Sequence, residues 1–510
     1  MRRFLKILTI IVGVVLLSAA SLVLYVYSAA DSIVAPNLET PPIFSEEIVQ
    51  DSCTKKLGRN WIRKNADGLY DIYVEGNALE RGTAFGKLSK DLLYLQESYF
   101  VDQLKVFVPS ETHQKSLIKL INFFNRNITD YIPEENGMKT LADAEQTVTG
   151  IYAAWMSGSL YSGYLTLLPD IQSDLVMAVE GNSNTYGEIY QWTFRPTNRE
   201  IESIYAGLYT VIGRCNFYLD QVDELRSKLQ SDSDIQTLDQ YTGEVYCARG
   251  LAYSELIKCF CEAYDPNKEQ LGVVLRTSYF KEEPVTRASL KDSYKRVIED
   301  LEKAEEMLDE EYNSYDAAFF TKAAAQAVRA RVALYMGEWQ KAVDYSTKLI
   351  SNTDTFDLSL ASYTVTSDGM NEVDYLWHYD SGYEVIWRIG YTTTSYGGAL
   401  GQNFLSFNND YTYYYPDYVP AQSALNLYAS GDARYNAYFA ELSTGYSHQL
   451  TWPLLIKYYG NRELISLLIY HVNMPKPIRL AEQYLIRAEA YCNLGNFGAA
   501  SSDLTKLRNA

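Results

Sequence analysis

Near the end of the chain, apolar and small residues recur at helical spacing. In residues 477–510, PIRLAEQYLIRAEAYCNLGNFGAASSDLTKLRNA, they fall at Ala481, Tyr484, Leu485, Ala488, Tyr491 and Cys492, the i, i+3, i+4, i+7 pattern of a helix that buries one face. Gly495 ends that helix and Asn496 follows. Ala499, Ala500, Leu504 and Leu507 then predict a second helix folding back on the first, with alanines where two backbones approach. Residues 327–350 repeat this grammar: Ala330 corresponds to Ala488, Gly337 to Gly495, Trp339 to Phe497, Ala342 to Ala500 and Leu349 to Leu507. A small residue, an interhelix glycine, an aromatic two residues later and an alanine three after that make the tetratricopeptide pattern. The long insertion between the copies, 351–476, argues against a regular solenoid.

Two further stretches extend the helical scaffold. In TRASLKDSYKRVIEDLEKAEEML, Leu290, Tyr294, Val297, Leu301, Ala304 and Leu308 alternate steps of four and three, while Glu, Lys and Arg fill the other faces. That stripe is core and not a cofactor box. Residues 243–260, GEVYCARGLAYSELIKCF, are helical by pattern and are stopped by the turn residues Asp265 and Pro266. The front of the chain differs: Arg2, Arg3 and Lys6 precede an uncharged, mostly aliphatic run over 7–30. A run of this length spans a bilayer as a helix and reads as a membrane anchor or an uncleaved signal, with the basic flank in the cytoplasm and the rest exported.

Outside the helical periodicity lie the segments where a ligand site is expected, because binding residues concentrate on loops held by a rigid scaffold. Residues 375–418 are dense in aromatics, Gly, Asn and Thr; Trp377, Tyr379, Tyr391 and Tyr396 are candidates there, with Asn408, Asn409 and Asp410 as hydrogen-bonding partners. Trp387 belongs to the same stretch, but VIWRIG alternates like a buried strand and assigns it to the core. A second candidate loop is EGNSNTYGEIYQW, where Tyr186, Tyr190 and Trp192 follow a polar turn ahead of a helix over 200–221. Composition bears on what such loops bind. With 45 Tyr and 7 Trp in 510 residues, aromatic faces are plentiful for stacking on the C–H faces of sugar rings, while Asn, Asp and Arg bond the hydroxyls. For any single tyrosine, capping of helix packing is the alternative.

Charge and chemistry narrow the classes. A net charge of −19 with a pI near 4.8 sets nucleic acid aside, since its binding needs a concentrated basic surface. Cys215, Cys247, Cys259, Cys261 and Cys492 lie on predicted helix faces and read as small buried residues with free thiols, whereas Cys53 sits in the polar, basic DSCTKKLGR. His113, His378, His448 and His471 share no metal-ligand spacing. No triad, phosphate loop or specific carboxylate pair is present in the pattern, so no catalytic residue, cofactor or metal is expected.

From about residue 140 to the end the chain resembles the RagB/SusD nutrient-uptake outer-membrane proteins. The resemblance rests on an ordered set: TLADAEQTVTGIYAAW from Thr140, IYAGLYTVIGRCNFYLDQV from Ile204, the two helices just described, ALNLYASGDARYNAYF with Asp432 and Arg434, and PIRLAEQYLIRAEAYCNLGN. It implies a mainly α fold, a tetratricopeptide-like scaffold with long irregular aromatic-rich loops. It also implies a surface-exposed outer-membrane binding protein and not an enzyme. In that picture the scaffold docks on a TonB-dependent transporter, and the loops capture an oligosaccharide or a peptide for delivery to it. The resemblance does not name the ligand aromatics. No lipobox Cys precedes Cys53, which leaves a membrane-anchored periplasmic location open, and family members usually continue beyond the position of Ala510.

A second likeness covers residues 51–135. LYDIYVEGNALERGTAFGKLSKDLLYLQESYFVDQLKVFVPS is similar to the start of C45-type acyltransferases and hydrolases and of phospholipase B-like proteins: a strand, a turn through Gly76, Glu80, Arg81 and Gly82, then a long helix. In that family a nucleophilic Cys lies further downstream, where this chain has already become TLADAEQ. The expected organisation is a signal or anchor over 1–30, a small α/β hydrolase-like fragment over 31–136, and a SusD-like domain over 137–510. An acyl-transferring hydrolase and a tetratricopeptide adaptor for another protein are the alternatives. The first lacks its nucleophile region; the second would lack the aromatic insertion.

Overall fold

The computed structural model describes residues 54–57, 60–64 and 70–74, and residues 137–510 apart from 282–284, 368, 409–411 and 447–449. The chain divides into two units, 1–136 and 137–510. In the first, β1 (Thr54–Leu57), β2 (Asn60–Lys64) and β3 (Tyr70–Val74) form an antiparallel sheet in that order, with Thr54 opposite Arg63 and Asn60 opposite Val74. β3 is the strand that LYDIYVEG predicts. The aliphatic run 7–30, Cys53, the turn over 76–82, the helix expected after it and His113 lie outside the described residues. Among the described residues, no helix is long and apolar enough to cross a membrane.

The second unit follows its sequence periodicity. α1 (Leu141–Trp155) begins at Thr140, whose hydroxyl accepts from the Asp143 N–H while the Asp143 carboxylate accepts from the Thr140 N–H at 2.8 Å, a capping box. α2 (Tyr164–Gln172), β4 (Val176–Ala178) and α3 (Gly187–Tyr190) lead to α4 (Arg199–Leu219), and α5 (Asp232–Phe260), α6 (Leu290–Met307), α7 (Lys322–Tyr335) and α8 (Trp339–Ile350) follow. The insertion carries α9 (Glu372–His378), β5 (Val385–Trp387), α10 (Gln402–Leu405), β6 (Tyr418–Pro420), β7 (Phe439–Ser443) and β8 (Thr451–Leu455). β9 (Ile478–Arg479) then returns the chain to α11 (Leu480–Asn493) and α12 (Phe497–Asn509).

Successive helices stack. α4 packs on α1 and α5, α5 on α6, α6 on α7, α7 on α8, α8 on α11, and α11 on α12. The insertion therefore interrupts the sequence of the stack but not the stack itself. The predicted stripe of α6, from Leu290 to Leu308, is buried throughout. Gly337 (φ +72°) and Gly495 (φ +77°) occupy the left-handed position that ends the first helix of each hairpin. Ala330, Ala333, Ala342 and Val343 of one hairpin share a core cluster with Ile486 and Ala490 of the other.

The last hairpin departs from its predicted face. Leu485 and Cys492 are exposed, while Gln483 and Ile486 are buried. The reason is that α11 is packed on by α7 and α8 as well as by α12, so its buried positions spread beyond one stripe. The cysteines divide accordingly: Cys215 and Cys247 are buried, but Cys259 is exposed and Cys261 half-buried at the end of α5. All five of these thiols are free.

Buried charges lock the stack. Arg249 on α5 grips Asp300 on α6 with two bonds, Nε to Oδ2 at 2.8 Å and Nη2 to Oδ1 at 2.7 Å, and donates through Nη1 to Asn216 Oδ1 on α4 at 2.7 Å. Arg331 on α7 makes the same forked contact with Glu482 on α11, at 2.6 and 2.7 Å, and donates to the Pro477 carbonyl at 2.7 Å. The planar guanidinium matches a carboxylate's two oxygens, so each clamp fixes orientation as well as distance.

Glu244 on α5 is a buried acid with no ion pair among the described residues. Its Oε2 accepts from the Tyr152 hydroxyl at 2.6 Å, and that same hydroxyl accepts the Phe320 N–H at 2.7 Å. Burial raises its carboxyl from 4.5 to about 7, against the hydrogen bonds from Tyr152 and Gln240 that favour ionisation. A folded-state value above the unfolded one stabilises the protein below pH 4.5, and that contribution is lost as pH rises through 7. Glu244→Gln removes the titration while keeping an acceptor for Tyr152. The expected result is a variant as stable as the wild type at acidic pH and more stable by about 3 kcal/mol at pH 8. Urea unfolding at the two pH values measures it, and equal stability at pH 8 refutes it.

Candidate ligand-binding cleft

The centre of the site is where β4 meets β6. Val176 pairs with Pro420 and Ala178 with Tyr418 in antiparallel register, which sets the loop after β4 beside the residues leading into β6. Buried Asp417 ties them together. Its Oδ1 accepts from the Ser183 N–H at 2.9 Å and the Ser183 hydroxyl at 2.6 Å, and its Oδ2 accepts from Asn403 Nδ2 at 3.0 Å. Burial opposes ionisation, but these bonds outweigh it and hold the Asp417 carboxyl below the usual carboxylate range. Tyr418 Oη donates to the Thr185 carbonyl at 2.6 Å, and Tyr446 Oη donates to the Pro416 carbonyl at 2.8 Å.

Around this hub lies a cleft of about 780 Å³, within the range of small-molecule sites. Part of its lining is main chain and small residues: Gly158, Gly163, Gly398 and Ala399. A Cβ on Gly163 would collide with the Gly158 carbonyl, and one on Gly398 with the Ser162 carbonyl, so only glycine lets these segments lie so close. Two aromatic pairs complete the lining, Tyr164 with Tyr186 at 5.8 Å and Tyr415 with Tyr446 at 5.6 Å, both edge to face. The lining also includes the amides and hydroxyls of Ser183, Thr185, Gln402, Asn403 and Ser406. Burial, with Tyr164 close by, pushes the Tyr186 hydroxyl up to about 12, so it stays protonated and able to donate at neutral pH.

Of the residues singled out in the sequence, Tyr186 lines this cleft. Trp192 is 67% exposed and pinned by its indole N–H to the Gln172 carbonyl at 2.9 Å. It thus sits at the far end of α2 from Tyr164. Tyr190 is half-buried against Tyr418 at 5.4 Å. Tyr396 is exposed on the loop before Gly397, and Asn408 Oδ1 accepts the Tyr413 N–H at 2.8 Å. Tyr379 stacks on Tyr375 at 4.6 Å with the Arg462 guanidinium 5.6 Å from its ring.

Two expectations need correction. Trp377 is buried on α9, with Lys457, Lys476 and Arg479 at 4.3, 4.7 and 5.2 Å from its ring, so its face is already used by cations of the protein. Tyr391 is buried, and its hydroxyl donates to Ser162 Oγ at 2.5 Å; it bonds a lining residue and is not itself part of the lining. Trp387 is fully buried against Phe320 and Trp155, as the strand pattern indicates. Asn409, Asp410 and His448 lie outside the described residues. No group of acidic, His and Cys side chains that could hold a metal occurs among the described residues.

Sequence reasoning missed Tyr164, Tyr415, Tyr446, Gln402, Asn403 and Asp417. The run SGSLYSGYL over 157–165 carried a signal, since small residues crowded after a helix permit close backbone approach. Nothing local connects Ser183 with Asp417, 234 positions away.

Comparisons with known proteins agree with this architecture. Residues 130–334 match a SusD-like family described as starch-binding, associating with the outer membrane. SusD-like protein P2 of Formosa agariphila is 23% identical over 418 residues, covering 75% of this chain and 76% of that protein. Among solved structures, a SusD superfamily protein from Bacteroides thetaiotaomicron aligns with a TM-score of 0.60 at 23% identity, covering 73% of this chain and 81% of its own. A laminarin-binding SusD-like protein aligns with a TM-score of 0.54 at 20% identity, covering 73% and 84%.

Proposed function

Starting from a chain that is SusD-like in its family match and in its fold, we propose that it captures an oligosaccharide in the cleft and delivers it to a TonB-dependent transporter at the outer membrane. The observation that carries this reading is the lining: two tyrosine pairs share it with a set of amides and hydroxyls. Sugar rings have apolar C–H faces and polar edges, and a site with both kinds of surface can bind each without burying an unpaired polar group. The description of the matching family as starch-binding and outer-membrane-associated, and a structural neighbour that binds laminarin, support the ligand class.

Binding and not catalysis is the role the cleft suits. Glycoside hydrolysis uses two carboxyl groups facing the scissile bond. Among the described lining residues Asp417 alone carries a carboxyl, and its oxygens are already engaged by Ser183 and Asn403. The full chain, solubilised in detergent, is expected to be retarded in native gels cast with a polysaccharide it recognises, and to leave a long incubation without shortening the polymer. Release of reducing ends would refute the non-catalytic reading. Co-purification with a co-expressed TonB-dependent barrel tests the delivery step, and a transporter that elutes alone counts against it.

A further inference from the structure

Resting on that glycan-binding reading, we infer that the cleft selects uncharged glycans and rejects those carrying carboxylate or sulfate groups. No Lys, Arg or His occurs among its described lining residues. For a carboxylate or sulfate in a partly dehydrated site, Arg and Lys supply a full countercharge, whereas neutral amides and hydroxyls supply hydrogen bonds without one. The charge that is present has the wrong sign. Asp417 is held ionised by Ser183 and Asn403, so an anion entering beside it meets repulsion with nothing to offset it.

The other lining groups fit a neutral polyol. Ser183, Thr185, Gln402, Asn403 and Ser406 offer donors and acceptors without net charge. Of the arginines and lysines near the lining residues in sequence, Arg388 donates to the Asp380 carbonyl, Arg434 pairs with Asp432, and Lys457 lies over the Trp377 ring. Selection by charge is thus a property of the cleft and not only of a chain with net charge −19.

The test places the full chain in native gels containing soluble starch, laminarin or arabinoxylan, and in parallel gels containing polygalacturonate, alginate or dextran sulfate. At about 0.15 M ionic strength the screening length is about 8 Å, so the charge of the whole molecule no longer decides the outcome. Retardation by at least one neutral polymer and by none of the anionic ones is the expected result. Retardation by an anionic polymer alone overturns the inference but leaves the glycan reading standing; no retardation by any polymer overturns the glycan reading itself. Gln402→Lys adds a cation to the lining and is expected to raise the affinity for polygalacturonate about tenfold, the contribution of one charge-assisted bond. A folded Gln402→Lys protein with no such gain shows that polymers do not lie against this lining, and overturns the inference.

Discussion

Asp380→Ala is expected to destabilise the second unit by about 3–5 kcal/mol, the range for breaking a buried ion pair by removing one partner. Asp380 is fully buried and receives Lys476 Nζ at 2.6 Å, Asn461 Nδ2 at 3.0 Å, Asn473 Nδ2 at 3.2 Å and the Met474 N–H at 2.9 Å. Its own carbonyl accepts Arg388 Nη1 at 2.6 Å. The donors to the carboxylate come from 461–476, 81 to 96 positions from Asp380, so one carboxylate ties that stretch to its own segment. Alanine leaves the Lys476 ammonium, itself almost wholly buried, without a counter-charge. The double variant Asp380→Ala, Lys476→Met removes both charges and should recover part of the loss, because the penalty lies in the orphaned partner. Urea midpoints of the three proteins decide it. A single variant within about 1 kcal/mol of wild type would show that the pair is not what holds the insertion together.

The second large effect concerns binding. Tyr415→Ala should weaken polysaccharide binding about thirtyfold, as truncation of an aromatic anchor does where it contributes about 2 kcal/mol, while leaving the unfolding midpoint nearly unchanged. Tyr415 is 39% exposed at the cleft, so little packing is lost. Tyr415→Phe should retain most of the affinity if the ring face is what stacks. Trp377→Ala should show the opposite split, lowering stability and not affinity, because its ring is covered by Lys457, Lys476 and Arg479. If Tyr415→Ala binds as well as wild type, the ligand lies elsewhere on the surface, and the exposed Trp192 is the next residue to replace.

The scaffold was legible because its signal is local. Leu290, Tyr294, Val297, Leu301, Ala304 and Leu308 recur at the helical period, and every one is buried; Gly337 and Gly495 mark turns that only their backbone angles demand. The face of α11 was misread because neighbours on more than one side cover it, and a period reports one face at a time. The site was legible only in part. Tyr186 stands out as an aromatic behind a polar turn, but Tyr164, Asn403 and Asp417 acquire meaning only when segments more than two hundred residues apart meet. Trp377 misled for a related reason: aromatic density in 375–418 reads as loop, while the seven-residue α9 turns this indole inward.

The close approach at Gly163 and Gly398 has an evolutionary consequence. A surface made of main chain presents the same atoms whatever the codon, and here any residue larger than glycine collides with a neighbouring carbonyl. That part of the cleft is thus closed to diversification, whereas Gln402, Ser406 and Tyr415 present side chains that exchange can replace. New ligand preferences should therefore arise by exchange at those positions over a fixed glycine base, which makes them the natural sites to randomise in a search for altered specificity.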